Sequence, residues 1–276
     1  MRTGPPTVDD LCPVADGTLR VRRTGQGPPL LLIAGGLGSV ESFRPLTRRL
    51  AERFTVLGYD RRGHFGSTDE TTGPVGVGMQ AADAAAVIAH FGYDSAQVFG
   101  TSAGASIALE LAATHPDSVR TLVAHEPPAV RILPDAARWL TFAEETVTLA
   151  ETDLLAAFTV FVRSLAGAAP PDLKATALPF ERDWIRLFRR EMREFYRYLP
   201  DTAALRDCGV PVILAGGAGS HSFYHHRPAE LLAAELEVPL IEFPGAHLGP
   251  QRNSGPFAER LSGLLDPDSV EARSLD

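Results

Sequence analysis

Apolar positions along the chain fall into two stretches of strand–helix alternation, separated by a long stretch that is helical only. Residues 17–23 alternate around Leu19 and Val21, and residues 29–34 form a short apolar run that ends in Gly35-Gly36-Leu37-Gly38. Both read as strands, the second feeding a turn. Residues 42–53 place Phe43, Leu46 and Leu50 on one helical face, and residues 54–59 form another apolar run. An Ala-rich helix is expected over 79–91, a strand over 96–100, a helix over 103–114 that stops before Pro116, and a strand over 119–124. The alternation resumes with strands at 210–215 and 239–243 and helices at 228–236 and 255–265. Residues 1–15 carry no such pattern and read as an irregular lead-in.

Apolar strands alternating with helices imply a mostly parallel sheet covered on both faces. Between 127 and 208 only helical spacing remains. Leu154, Leu155, Phe158, Phe161, Val162 and Leu165 recur with that period, as do Trp184, Leu187, Phe188, Met192, Phe195 and Tyr196. This predicts a helical insertion (127–208) between two strands of a core made of 1–126 and 209–276. Such an insertion lies as a cap over the C-terminal strand ends, the edge where open parallel sheets bind ligands.

Composition narrows the setting. A chain of 276 residues with 45% hydrophobic content builds one large domain with an insertion. A net charge of -8 without a basic stripe argues against nucleic acid or an anionic membrane as partner. Only Lys174 among the 26 basic residues is a lysine, a bias that tracks genome composition rather than function. Cys12 and Cys208 have no metal-ligand or redox spacing, so a reduced, cytoplasmic setting is expected. No signal-peptide pattern, membrane-spanning run or internal repeat is evident.

The chemistry is concentrated at Gly100-Thr101-Ser102-Ala103-Gly104, a G-x-S-x-G pattern between an expected strand and an expected helix. A serine on such a turn is held out at the top of a sheet, with the following N–H aimed at the same point. Acyl transfer also needs a base, an orienting acid and oxyanion donors. Of eight histidines, His90 and His115 fall on helices, and His64 precedes Ser102. His221, His225 and His226 sit in the loop after strand 210–215 and read as solvated, with the lining of a pocket mouth as the other reading. His247 follows the last strand, flanked by Gly245 and Gly249, and is the expected base.

These segments resemble the α/β-hydrolase superfamily, in the branch with a helical cap, over residues 17–265. The resemblance rests on Ala34-Gly35-Gly36-Leu37-Gly38, on Tyr59 through Ser67, on the Ser102 turn and on Gly245-Ala246-His247-Leu248-Gly249. It implies Ser102 as nucleophile and the chain order Ser…acid…His. Many relatives carry His-Gly at the oxyanion turn where Ala34-Gly35 stands here. The donors by position are the N–H groups of Gly36 and Ala103, with Leu37 as the fallback. The acid is missing from its commonest place, since residues 216–226 contain no carboxylate. Asp207 precedes its strand and so sits at the wrong end of the sheet. Glu126, one strand over at the C-terminal edge, is assigned to orient His247. The other readings are a hinge residue paired with an arginine, leaving a Ser–His dyad completed by Ser220 or a water. Asp60 is expected to brace its own loop, and Arg61 and Arg62 to be solvated or structural, with contact to a substrate carboxylate as the other reading.

The aromatic residues of the insertion imply a hydrophobic small-molecule substrate. The expected activity is hydrolysis of an ester, lactone or thioester, with no metal or organic cofactor and no assignment of oligomeric state. Ser102 excludes the carboxylate-nucleophile chemistry of dehalogenases and epoxide hydrolases of this fold. A natural-product tailoring enzyme or cofactor-free haloperoxidase using the same site is the alternative, with a non-catalytic receptor as a third reading.

Overall fold

A computed structural model describes residues 6–265. Eight strands form one sheet in the order β1-β2-β4-β3-β5-β6-β7-β8. These are β1 (Thr7–Val14), β2 (Gly17–Thr24), β3 (Pro29–Ile33), β4 (Thr55–Tyr59), β5 (Ala96–Thr101), β6 (Val119–His125), β7 (Val212–Gly217) and β8 (Leu240–Phe243). β1 and β2 pair antiparallel with their neighbours, and every pairing from β4 to β8 is parallel. β3, β4 and β5 are buried at every position. That is why none of them shows the regular alternation of a half-exposed strand.

β1 corrects the expectation of an irregular lead-in, of which residues 1–5 lie outside the described residues. It pairs with β2 along its whole length, from Thr7 opposite Thr24 to Val14 opposite Gly17. Only Cys12 of this strand is buried. An edge strand with both faces exposed needs no apolar alternation, so the sequence carries no signal for it.

Helices cover both faces. α1 (Arg44–Leu50) packs with the C-terminal helix on one side. α2 (Val77–His90) and α3 (Ala103–Thr114) pack on the other. Between β6 and β7 the chain is helical: α4 (Ala136–Thr152), α5 (Leu154–Ala166), α6 (Leu173–Ala177), α7 (Glu181–Arg186), a π-turn (Leu187–Glu191), α8 (Met192–Arg197) and α9 (Thr202–Asp207). α4, α5, the π-turn and α8 share an apolar core of their own that includes Val147, Phe161, Phe188 and Met192. α9 instead sends Leu205 into the core beneath the sheet. The chain closes with α10 (His226–Leu236), α11 (Gly249–Arg252) and α12 (Ser254–Leu264). No helix among the described residues is long and apolar enough to cross a membrane.

Candidate active site

Ser102 stands between the last residue of β5 and the first of α3 with φ 55° and ψ −128°. Its N–H donates to the His125 carbonyl on the neighbouring strand (2.9 Å). A non-glycine residue in the left-handed region costs about 1–3 kcal/mol and persists only where the surroundings hold it. Two close approaches hold it here. A Cβ at Gly104 would lie 2.1 Å from the Ile33 carbonyl oxygen, and one at Gly35 would lie 2.6 Å from the Ser102 Cβ. α3 therefore closes on the end of β3, and the turn after β3 closes on the serine, through residues without side chains.

Glu126, just beyond β6, is the second non-glycine residue at this edge with positive φ (51°). Its N–H donates to the Ala215 carbonyl (3.0 Å), and its carboxylate turns into the sheet edge and is fully buried. Oε2 lies 2.7 Å from His247 Nδ1, and Oε1 accepts the Gly217 N–H at 2.8 Å. Because an ionised carboxylate only accepts, His247 Nδ1 carries the proton and Nε2 is left as the basic nitrogen. Burial pushes the Glu126 carboxyl up, but hydrogen bonds from His226 and His247 and the nearby imidazoles outweigh it, holding the group well below the usual carboxylate range. The partners of Glu126 are thus imidazoles and a backbone N–H, not an arginine.

The loop after β7 departs from the sequence reading. His221 is exposed, but His225 is 1% exposed and His226 is fully buried. His226 Nδ1 lies 3.4 Å from Glu126 Oε1 and His225 Nε2 lies 3.3 Å from Oε2. The His225 ring also packs against His247, with centroids 4.1 Å apart. Burial pulls His225 down to about 2 and His125 to about 4, so both are neutral, whereas the bond to Glu126 raises His226. The sequence hid this because a Ser-, Gly- and His-rich loop looks solvated until another strand end covers it. Ser220, the alternative third partner, is buried with an Oγ that has no hydrogen-bond partner among the described residues.

Glu126, His225 and His247 each offer a donor atom within 4.8 Å of the others, as do His221, His226 and Glu230. Imidazole and carboxylate donors suit zinc. An ion on the first set would compete with the His247–Glu126 bond.

The remaining polar residues brace loops. Asp60 is fully buried and accepts from the Val40 N–H (2.9 Å), the Gly66 N–H (3.2 Å) and Arg20 (3.1 Å). Arg62 forks onto Asp83 at 2.9 and 2.5 Å. Neither Arg61 nor Arg62 is solvated.

Beside Ser102 lies a cavity of about 30 Å³. Gly36 and Ala103 contribute to its wall, together with Leu187, Met192 and Tyr196 from the helical segment between β6 and β7 and Tyr224 from the loop after β7. Ala103 opens α3, where a backbone N–H has no acceptor within the helix. The fallback donor, Leu37, is not part of the lining. The walls are apolar apart from Ser102 and a tyrosine pair whose hydroxyls lie 2.6 Å apart. Burial raises the Tyr224 phenol to about 12 and Tyr196 well above its usual value, so both are neutral. A larger hollow of about 800 Å³, lined by Arg22, Glu41, Phe43 and Arg44 among others, shares no residue with this cavity.

Residues 28–200 match the model of the alpha/beta hydrolase fold family. The chain is 30% identical over 271 residues to the uncharacterized hydrolase YraK of Bacillus subtilis (strain 168), covering 92% of this chain and 97% of that protein. It is 37% identical to a 2-(acetamidomethylene)succinate hydrolase of Mesorhizobium japonicum over 107 residues, 39% of this chain and 38% of that one. Among solved structures, an alpha/beta hydrolase from Sphaerobacter thermophilus DSM 20745 superposes with a TM-score of 0.68 at 27% identity, covering 91% of this chain and all of that one. With the sheet order, the strained serine turn and these matches together, the chain belongs to the α/β-hydrolase family.

Proposed function

We propose that this chain is a serine hydrolase that cleaves an ester, lactone or thioester of a hydrophobic small molecule through an acyl-enzyme on Ser102, with residues 127–208 as its cap. The observation that carries this reading is the 2.7 Å contact between Glu126 and His247 Nδ1, made at the same sheet edge as the strained Ser102 turn. In this reading His247 Nε2 takes the Ser102 proton as Oγ attacks the acyl carbon. Glu126 holds the tautomer and stabilises the imidazolium. The Gly36 and Ala103 N–H groups bind the oxyanion, a contribution of roughly 2.7–4 kcal/mol per donor. His247 then returns its proton to the leaving group and activates the water that releases the acid. The small apolar cavity supports a short acyl chain beside Ser102, and a longer one requires the cap helices to move. Relatives named as hydrolases support hydrolysis over the tailoring reactions.

A fluorophosphonate probe tests the nucleophile. The wild-type chain is expected to be labelled at Ser102, and Ser102→Ala to lose both labelling and p-nitrophenyl acetate turnover. A folded wild-type protein that stays unlabelled defeats the reading.

A further inference from the structure

The π-turn Leu187–Glu191 sits where the insertion meets the body, and such turns are frequent at functional sites. Its first residue, Leu187, and the residue that follows it, Met192, contribute to the cavity wall. Its last residue, Glu191, is not part of that wall and is fully buried. One Glu191 oxygen accepts from Arg61 Nη1 at 2.8 Å, and the other lies 3.0 Å from His64 Nε2. Burial alone would push this carboxyl up, but Arg61 and His64 prevail and hold it at about 2. Arg61 is equally buried. Its Nη1 also donates to Gln80 (2.5 Å), its guanidinium lies 5.3 Å from the Phe195 ring centre, and its Nη2 donates to the Gly36 carbonyl at 2.6 Å.

The last contact matters because of where Gly36 sits. The Gly38 N–H donates to the Gly35 carbonyl (2.9 Å), so residues 35–38 form a turn whose central peptide joins Gly36 to Leu37. Gly36 has φ +48°, and a Cβ there would meet nothing within 4 Å. No side chain restricts the Gly36 backbone dihedrals, so the residue can rotate this peptide at little cost. The Arg61 bond to its carbonyl restrains this peptide, which carries the Leu37 N–H, and through the Gly36 Cα the preceding peptide, which carries the Gly36 N–H; the Arg61 N–H adds a bond to the Gly38 carbonyl (2.7 Å). A buried guanidinium holds that position only while its own charge is paired.

We propose that Glu191 is a positioning residue: from the cap it holds Arg61 against the Gly36 carbonyl, so that the oxyanion turn is aligned only while the cap is seated. This rests on the serine-hydrolase reading above, and it couples contact of a substrate with Leu187 and Met192 to the donors on the opposite wall.

Glu191→Gln in the full chain tests it, with p-nitrophenyl acetate as substrate, phenylboronic acid as a tetrahedral adduct of Ser102, and amide hydrogen exchange at Gly36 and Leu37 as a readout independent of catalysis. The expected result is a kcat lowered about tenfold or more with KM within about twofold, since removal of a whole oxyanion donor costs about 10²–10³. Boronate inhibition should weaken by the same factor, and both amides should exchange faster. Unchanged exchange at both amides overturns the relay, whatever the kinetics. So does a change confined to KM, which is what a merely displaced cap would give. Should Glu191→Gln not fold, Arg61→Lys carries the same readouts, because a lysine beside Glu191 lacks the second arm that reaches Gly36. An unlabelled wild-type Ser102 defeats the hydrolase reading instead, and leaves the amide-exchange result to decide the relay alone.

Discussion

At the scale of single residues, the environment of Glu126 shows what its side-chain oxygens must do. One oxygen faces the Gly217 N–H and the other faces His247. In Glu126→Gln the amide oxygen must stay with Gly217, since a backbone N–H cannot accept. The amide NH₂ then points at His247 Nδ1 and forces the proton to Nε2, the nitrogen that should receive the Ser102 proton. Turnover of p-nitrophenyl acetate is therefore expected to fall by about 10²–10⁴. Every buried partner keeps a hydrogen bond, so the urea midpoint should move little, and a large stability loss with preserved turnover would refute the role of Glu126. Its position could be read from the sequence, because it follows an expected strand at the edge where the serine sits. That two further imidazoles, those of His225 and His226, join His247 around it was not legible, since residues 225, 226 and 247 come together only when the β7 and β8 ends are adjacent.

The elements depend on how closely backbone passes backbone. α3 crosses β3 at Gly104, where a methyl group would sit 2.1 Å from one carbonyl oxygen and 2.7 Å from its carbon. Gly104→Ala should destabilise the chain by about 1–3 kcal/mol or more, because the helix must lift from the sheet. Gly73→Ala, where nothing lies within 4 Å, should stay within about 0.5 kcal/mol of wild type. Urea midpoints of the two variants provide the comparison. Strands buried on both faces were readable from apolar runs, and their ends fell within a residue or two of the expected positions. β1 was not, because an exposed edge strand is held by backbone pairing that leaves no mark on side-chain polarity. The π-turn was equally silent, since one extra residue barely alters a 3.6-residue period.

For the molecule as a whole, buried ionisable groups set the acid limit of stability. His225 and His125 are neutral in the folded chain, with values near 2 and 4 against 6.5 when free. The unfolded chain therefore binds more protons below pH 6.5, and stability falls as pH drops through that range. Glu191 adds a second phase. Its folded value of about 2 against 4.5 contributes about 3 kcal/mol, present above pH 4.5 and lost on descent towards 2. His226, which is raised, acts in the opposite sense and contributes most below its free value. Urea midpoints should decline from pH 7 to pH 4, and His225→Phe, which keeps a ring against His247, should flatten that decline. A midpoint independent of pH over this range would contradict the burial of neutral histidines.

The sequence alone determined the parallel sheet, the place of the helical insertion, and Ser102, His247 and Glu126 as residues that reach one edge. Periodicity and chain order are local properties, and a strand's direction fixes which end of it a loop occupies. Only the tertiary structure decided which polar side chains are dry. Burial of His225, His226, Arg61 and Glu191 depends on surfaces contributed by segments far apart in the chain. The same is true of the cavity beside Ser102, whose lining combines Gly36, Ser102 and Ala103 of the sheet edge with Leu187, Met192 and Tyr196 of the insertion.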